Sequence, residues 1–304
     1  MRCLVTGGTG FLGRHLIPAL HRLGWDVHVC NTKVGNLNQV ENLYQFNNDP
    51  FDYIFHLAAV TKAGDYCMTH QGEQWINNQR INTNMLDYWK KYQPQAKMIC
   101  MGTSCSYSPG IYMEEDNYLL GEPEPSLYTY AMTKRMLLVG LQSLQQQYGL
   151  KWLYFIPSTL YGPEFELDDN HFIFDFIRNG YNAKYNGRDF VLWGDGTQRR
   201  ELIYVADAVD AMINLLDYEN EIFNLGSGQD HSINEFAEVV CDVYGYDHSL
   251  LEHDLSKYVG VKEKKLDTQK VVNFLGEKRY IKTDLELGTT RCIEYYKDNI
   301  INDK

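Results

Sequence analysis

The chain contains no apolar run approaching membrane-spanning length, no Cys-x-x-Cys and no His-x-x-x-His. The first absence excludes a spanning helix. The other two point away from a structural zinc site, and no metal is expected. Its seven cysteines are odd in number and lack paired spacing, a pattern of reduced thiols rather than of a disulfide framework. Met1-Arg2-Cys3-Leu4-Val5 runs straight into a strand without a signal-peptide pattern, so a cytoplasmic location is expected. Basic residues are scarce, 28 against 40 acidic ones for a formal charge of −12. That balance argues against nucleic acid as the principal partner. It leaves anionic small molecules open, provided a few cations gather in a cleft. Low-complexity tracts and linkers are also missing, and 304 residues suit one large or two intimate domains with a substantial core.

Glycine, by contrast, stands where it does chemical work. Cys3-Leu4-Val5-Thr6 reads as a buried parallel strand, followed by glycines at 7, 10 and 13 and an amphipathic helix to about Leu23. Phe11 and Leu12 open that helix. A second strand follows over Asp26–Asn31. The glycine spacing permits a tight turn, admits a pyrophosphate at the helix N-terminus and lets helix and strand pack closely. This is a dinucleotide-binding pattern. An NAD-preferring site carries an acid at the end of the second strand; here the tract ends Asn31-Thr32-Lys33, with Arg14 just past the third glycine. NADP is therefore the expected cofactor, with Asn31, Lys33 and Arg14 about its ribose phosphate.

Further strands are expected over Tyr53–Ala59, Lys97–Met101 and Trp152–Ile156, with helices between them, which predicts a doubly wound parallel α/β sheet. Ligands bind beyond the carboxyl ends of such strands. Gly7–Gly13, Leu57-Ala58-Ala59, Thr103, Pro157 and Leu160 all fall there. His56 reads as packed rather than catalytic. The chain is expected to rejoin the sheet near Leu202–Leu216. The cofactor-binding part then comprises residues 1–163 and about 198–225, and a smaller α/β substrate-binding part comprises about 164–197 and 226–304.

At the fourth strand end, Gly102-Thr103-Ser104-Cys105 precedes Tyr130-Ala131-Met132-Thr133-Lys134. Chance alone supplies about one Tyr-x-x-x-Lys in a chain with 23 tyrosines, so context decides. A second match, Tyr258…Lys262, lacks a strand and hydroxyl before it and reads as a surface pair. A helix puts Tyr130 and Lys134 on one face. An ammonium beside a phenol is expected to draw its pKa from about 10 towards neutrality, making the tyrosine a usable acid or base.

These features resemble the extended short-chain dehydrogenase/reductases, nucleotide-sugar branch. Within it the chain is similar to the GDP-L-fucose synthase family, NADP-dependent epimerase/reductases of GDP-4-keto-6-deoxymannose. The resemblance spans nearly the whole chain, through Gly102–Tyr107, Tyr130…Lys134, Leu160-Tyr161-Gly162-Pro163, Asn170-His171, Leu192–Glu201, Asn224–Gly228 and Ser256–Asp267. It implies that Thr103 stands at the catalytic serine position, that Tyr130 protonates the C4 oxygen, and that Lys134 holds the nicotinamide ribose. It also implies that Cys105 and His171 move protons at the epimerised carbons, and that Arg178, Trp193, Arg200 and Lys264 contact the nucleotide-sugar substrate. A homodimer is implied too, through helices Gln74–Lys91 and Leu127–Tyr148. Thr159 replaces a usual asparagine, and Glu263 an arginine, which leaves the nucleotide base open.

A 4,6-dehydratase would want an Asp-Glu pair after the active hydroxyl, where Ser104-Cys105 stands. A 4-ketoreductase without epimerisation and a 4-epimerase holding NAD are the enzymatic alternatives. A dinucleotide-binding regulator without catalysis is the non-enzymatic one, and the retained Tyr/Lys pair counts against it.

Overall fold

Successive residues of a strand face opposite ways, and the strands here are apolar on both faces, as a sheet covered by helices on each side requires. The computed structural model describes residues 1–302 except 32–34, 62–64, 168 and 258. The first part runs β1 (Arg2–Thr6), α1 (Phe11–Arg22), β2 (Asp26–Cys30), β3 (Tyr53–His56), α2 (Asp65–Thr69), α3 (Gln71–Tyr92), β4 (Lys97–Met101), α4 (Tyr128–Tyr148) and β5 (Trp152–Pro157). Next come β6 (Thr159–Tyr161), α5 (Phe172–Asn186), β7 (Val191–Trp193), β8 (Arg199–Tyr204), α6 (Val205–Asn214) and β9 (Glu221–Leu225). The remainder is β10 (Asp230–Ser232), α7 (Ile233–Tyr244), β11 (Glu252–Asp254), β12 (Glu263–Lys264), α8 (Gln269–Leu275), α9 (Glu277–Tyr280) and α10 (Leu285–Asn302).

The main sheet has the order β2-β1-β3-β4-β5-β9, parallel throughout, a doubly wound Rossmann arrangement. The strand order reverses between β1 and β3, the switch point where such folds bind ligands. Leu4, Ile54, Met98 and Tyr154 face one way and pack against Met85, Tyr88 and Trp89 of α3 and Leu137, Leu138 and Leu141 of α4. Their neighbours Val5, Phe55, Ile99 and Phe155 face the other way, against Leu16 and Leu20 of α1 and Val209 and Met212 of α6. A third apolar cluster joins Ile173, Phe174 and Ile177 of α5, Phe236 and Val240 of α7, and Ile293 and Tyr296 of α10.

Expected strand limits shorten in two places. The second strand ends at Cys30 and the third at His56, which frees Asn31 and Leu57–Ala59 to form the rim of the sheet. The stretch 202–216 does not rejoin the main sheet. Leu202–Tyr204 pairs with β6 in a separate small sheet, and the helical spacing of Ala208, Val209 and Met212 makes α6. The sixth strand of the main sheet is β9, paired with β5.

Candidate active site

A cleft of about 750 Å³ lies beyond the carboxyl ends of β1, β3, β4 and β5. Its floor at one end is the glycine turn. Gly7 has a left-handed backbone (φ +68°), and a Cβ there would sit 2.7 Å from the Ala58 amide nitrogen. A Cβ on Gly13 would sit 2.6 Å from both the Gly7 oxygen and the Gly8 Cα. Gly10 is the N-cap of α1 and offers no side-chain cap, so the first amides of that helix stay available to an anion. Phe11, Leu12, Asn31, Leu57, Ala58, Ala59, Pro157 and Leu160 line the same cleft. These residues fit a dinucleotide: a close-approach turn, an open helix N-terminus and an apolar trough leading to reactive side chains.

At the other end lie Thr103, Cys105, Tyr130, Lys134 and His171. Thr103 follows the tip of β4, and its hydroxyl accepts from the Cys105 amide at 3.2 Å, fixing the short turn Ser104–Ser106. One helical turn separates Tyr130 and Lys134 on α4, and the ammonium lies 5.9 Å from the tyrosine ring centroid. The expected lowering of the phenol's pKa is reversed. Burial raises it above the ordinary value, and a hydrogen bond with Thr103 pulls only weakly the other way. Burial also draws Lys134 down to about 8. A phenol held neutral in this way is suited to giving a proton rather than taking one.

Cys105 and His171 carry the opposite bias. Burial pushes the Cys105 thiol up, but the Lys264 ammonium, hydrogen bonds from Lys264 and Thr103, and His171 bring it below the usual thiol value. Lys264 Nζ stands 3.0 Å from Cys105 Sγ. His171 caps α5 with its backbone only; its ring Nδ1 faces Asp169 Oδ1 at 2.6 Å. That carboxylate raises the imidazole's pKa, outweighing burial. The cleft thus holds one group inclined to be a thiolate and another inclined to be an imidazolium.

Other expected contact residues sit elsewhere. Arg14 does not line the cleft, and its guanidinium pairs with Glu166 at 2.5 Å. Lys33 lies outside the described residues, as does Tyr258 of the second Tyr-x-x-x-Lys. Arg178 donates to the Leu167 and Asp169 carbonyls, at 3.0 and 2.5 Å, and pairs with Asp175. It thereby braces the loop that carries His171. Arg200 donates to the carbonyls of Arg199, Val261 and Val259. Trp193 is exposed, with the Lys257 ammonium 5.5 Å from its ring. His56 is buried between Thr6 and Asn82, and burial lowers it to about 4, which keeps it neutral and packed. Asp169, not singled out from the sequence, lines the cleft; an acid two residues before His171 was its only signal.

The fold and cleft define a Rossmann enzyme of the short-chain dehydrogenase/reductase type. Residues 3–226 match the NAD dependent epimerase/dehydratase family, and the chain belongs to it. It is 30% identical over 312 residues to the probable GDP-L-fucose synthase 1 of Oryza sativa subsp. japonica, covering all of this chain and 94% of that one. To the GDP-L-fucose synthase of Sinorhizobium fredii it is 29% identical, over 98% of this chain and 96% of that one. In structure it is similar to a GDP-L-fucose synthetase from Naegleria fowleri bound to NADP, with TM-score 0.87, 24% identity, and 99% and 93% of the two chains covered.

Proposed function

We propose that this chain is an NADPH-dependent nucleotide-sugar epimerase/reductase acting on a 4-keto-6-deoxy sugar nucleotide. The observation that carries this reading is the meeting, in one cleft, of a neutral phenol, a lysine, a sensitised thiol and a carboxylate-backed imidazole. A 4-keto group acidifies the protons on the carbons beside it. Cys105 as thiolate removes such a proton from one face, and the charge moves onto the carbonyl oxygen. The hydroxyls of Tyr130 and Thr103 stabilise that oxygen by hydrogen bonding. His171 as imidazolium returns a proton to the opposite face, which inverts the centre. When bound, NADPH supplies the hydride that reduces C4. Tyr130 then gives its proton to the C4 oxygen, and Lys134 holds the cofactor's ribose and the phenol in register.

NADPH rather than NADH is favoured because, among the described residues lining the cleft, Asp169 is the one carboxylate, and it lies at the sugar end. In this reading residues 1–163 and about 198–225 bind cofactor, and about 164–197 and 226–304 bind the sugar nucleotide through Trp193, Arg200, Arg178 and Lys264. The third apolar cluster, built on α5, α7 and α10, supports that division. A cytoplasmic homodimer is part of the proposal: Trp75 and Ile76 on α3 and Met136 and Val139 on α4 are apolar and exposed. Among the described residues, no helix is long and apolar enough to cross a membrane.

The test is incubation with NADPH and a panel of 4-keto-6-deoxy nucleotide sugars in deuterated water. Wild type should consume NADPH and place deuterium at C3 or C5, whereas Cys105→Ser should lose the deuterium while some reduction survives. Equal deuterium in both proteins would remove Cys105 from the reaction, and reduction without any deuterium would leave a simple 4-ketoreductase.

A further inference from the structure

Lys264 enters the site from outside the nucleotide-binding sheet. It ends the short strand β12, which runs parallel to β8 with Lys264 opposite Arg200. The backbone beneath it is fixed on both sides. Arg199 N donates to the Lys262 carbonyl at 2.8 Å, and Leu266 N donates to the carboxylate of buried Glu201 at 2.9 Å. The side chain is therefore delivered to one place. That place is the Cys105 sulfur, 3.0 Å from Nζ across 159 residues of sequence. An ammonium so close offers both an N–H donor and a positive charge, and each favours sulfur as the anion.

We propose that Lys264 is a positioning residue of the epimerisation, whose ammonium holds Cys105 as the thiolate before any sugar arrives. The proposal rests on the reading of Cys105 as the base. It adds, to the substrate contact proposed for this lysine, a duty exercised through the sulfur. Of the other groups facing Cys105, the Thr103 hydroxyl and the His171 imidazole also favour the anion, while Tyr130 and Cys67 feel it as an unfavourable neighbour. Lys264 acts twice, by charge and by hydrogen bond, and its contribution leads those opposing burial. The thiol proton passes to solvent in the resting enzyme, leaving the sulfur lone pair free to take a proton from the carbon beside the keto group.

The test reads Cys105 directly and requires no sugar. Of the seven cysteines it is the one that is only partly buried, so iodoacetamide alkylation assigned by mass spectrometry reports its thiolate fraction against pH on the full chain. Wild type should reach half-maximal alkylation clearly below about 8.5, the ordinary thiol value. Lys264→Gln and Lys264→Met should raise that midpoint by about one pH unit or more, a roughly tenfold slower alkylation at neutral pH. Lys264→Arg should restore most of the rate, and NADPH affinity should stay unchanged. Deuterium incorporation should slow in proportion at neutral pH and recover at alkaline pH. A wild-type midpoint at the ordinary thiol value overturns the proposal by itself, whether or not the variants fold. So does an unmoved midpoint in the Gln and Met variants accompanied by a raised KM for the sugar nucleotide, the signature of a phosphate contact. If the midpoint moves as expected but wild type incorporates no deuterium, the ion pair stands and the epimerase reading falls.

Discussion

Replacing Asp169 with asparagine keeps an oxygen that accepts hydrogen bonds while deleting a charge. Asp169 Oδ1 accepts from the His171 amide at 2.8 Å and faces the ring Nδ1 at 2.6 Å. Two unit charges about 4 Å apart attract by about 4 kcal/mol at an effective dielectric of about 20. The imidazole side chain is 44% exposed and the carboxylate 23%, so solvent screening reduces this to about 1–2 kcal/mol. That is about one pKa unit. In Asp169→Asn, His171 should therefore titrate about one unit lower, measured by NMR of its ring in the unliganded protein. The alkaline limb of deuterium incorporation should move down with it, because the proton donor empties earlier. For stability the sign follows from a folded pKa raised above the unfolded one. The extra stability is complete below about 6.5 and disappears as pH rises through the folded value. The melting-temperature gap between wild type and variant should be widest on the acid side of about 6.5 and close at alkaline pH. A His171 titration that stays put, or moves upward, would refute the carboxylate's role.

Two further outcomes follow from the same geometry. Tyr130→Phe removes the proton but keeps the ring, so turnover should fall at least about a hundredfold while NADPH affinity, followed by its fluorescence, is preserved; near-normal turnover would strip Tyr130 of its role as the acid. Gly13→Ala puts a Cβ 2.6 Å from the Gly7 oxygen and the Gly8 Cα. The variant should bind NADPH more weakly and melt earlier, despite alanine's advantage of about 1 kcal/mol in helices; unchanged affinity and melting would mean the turn is looser than described.

What could be read from the chain was whatever repeats or spaces locally. The glycines at 7, 10 and 13 and the apolar run of β1 announce the cofactor turn, and the four-residue separation of Tyr130 and Lys134 puts both side chains at the cleft. Burial is not local, and there the reading failed. The phenol's pKa moves up rather than down because enclosure by the folded chain outweighs its neighbours, a quantity no spacing encodes. Strand limits failed more mildly: Asn31 and Leu57–Ala59 continue an apolar or extended pattern, but β2 ends at Cys30 and β3 at His56.

The cations show the same division. Arg200, which the resemblance makes a substrate contact, also donates to the backbone carbonyls of Val259 and Val261, and Arg178 braces the segment before His171. Both brace loops, through contacts that a count of charges does not announce. The two charged side chains beside the proposed proton-moving pair differ in the same way. Asp169 is two residues from His171 and could have been noticed as an Asp-x-His spacing. Lys264 reaches Cys105 only because β12 docks beside β8, and a two-residue strand carries too little pattern to announce itself. The candidate pair, Cys105 and His171, is therefore legible in sequence only through the family resemblance. The charges that set which of them starts with the proton belong to the fold.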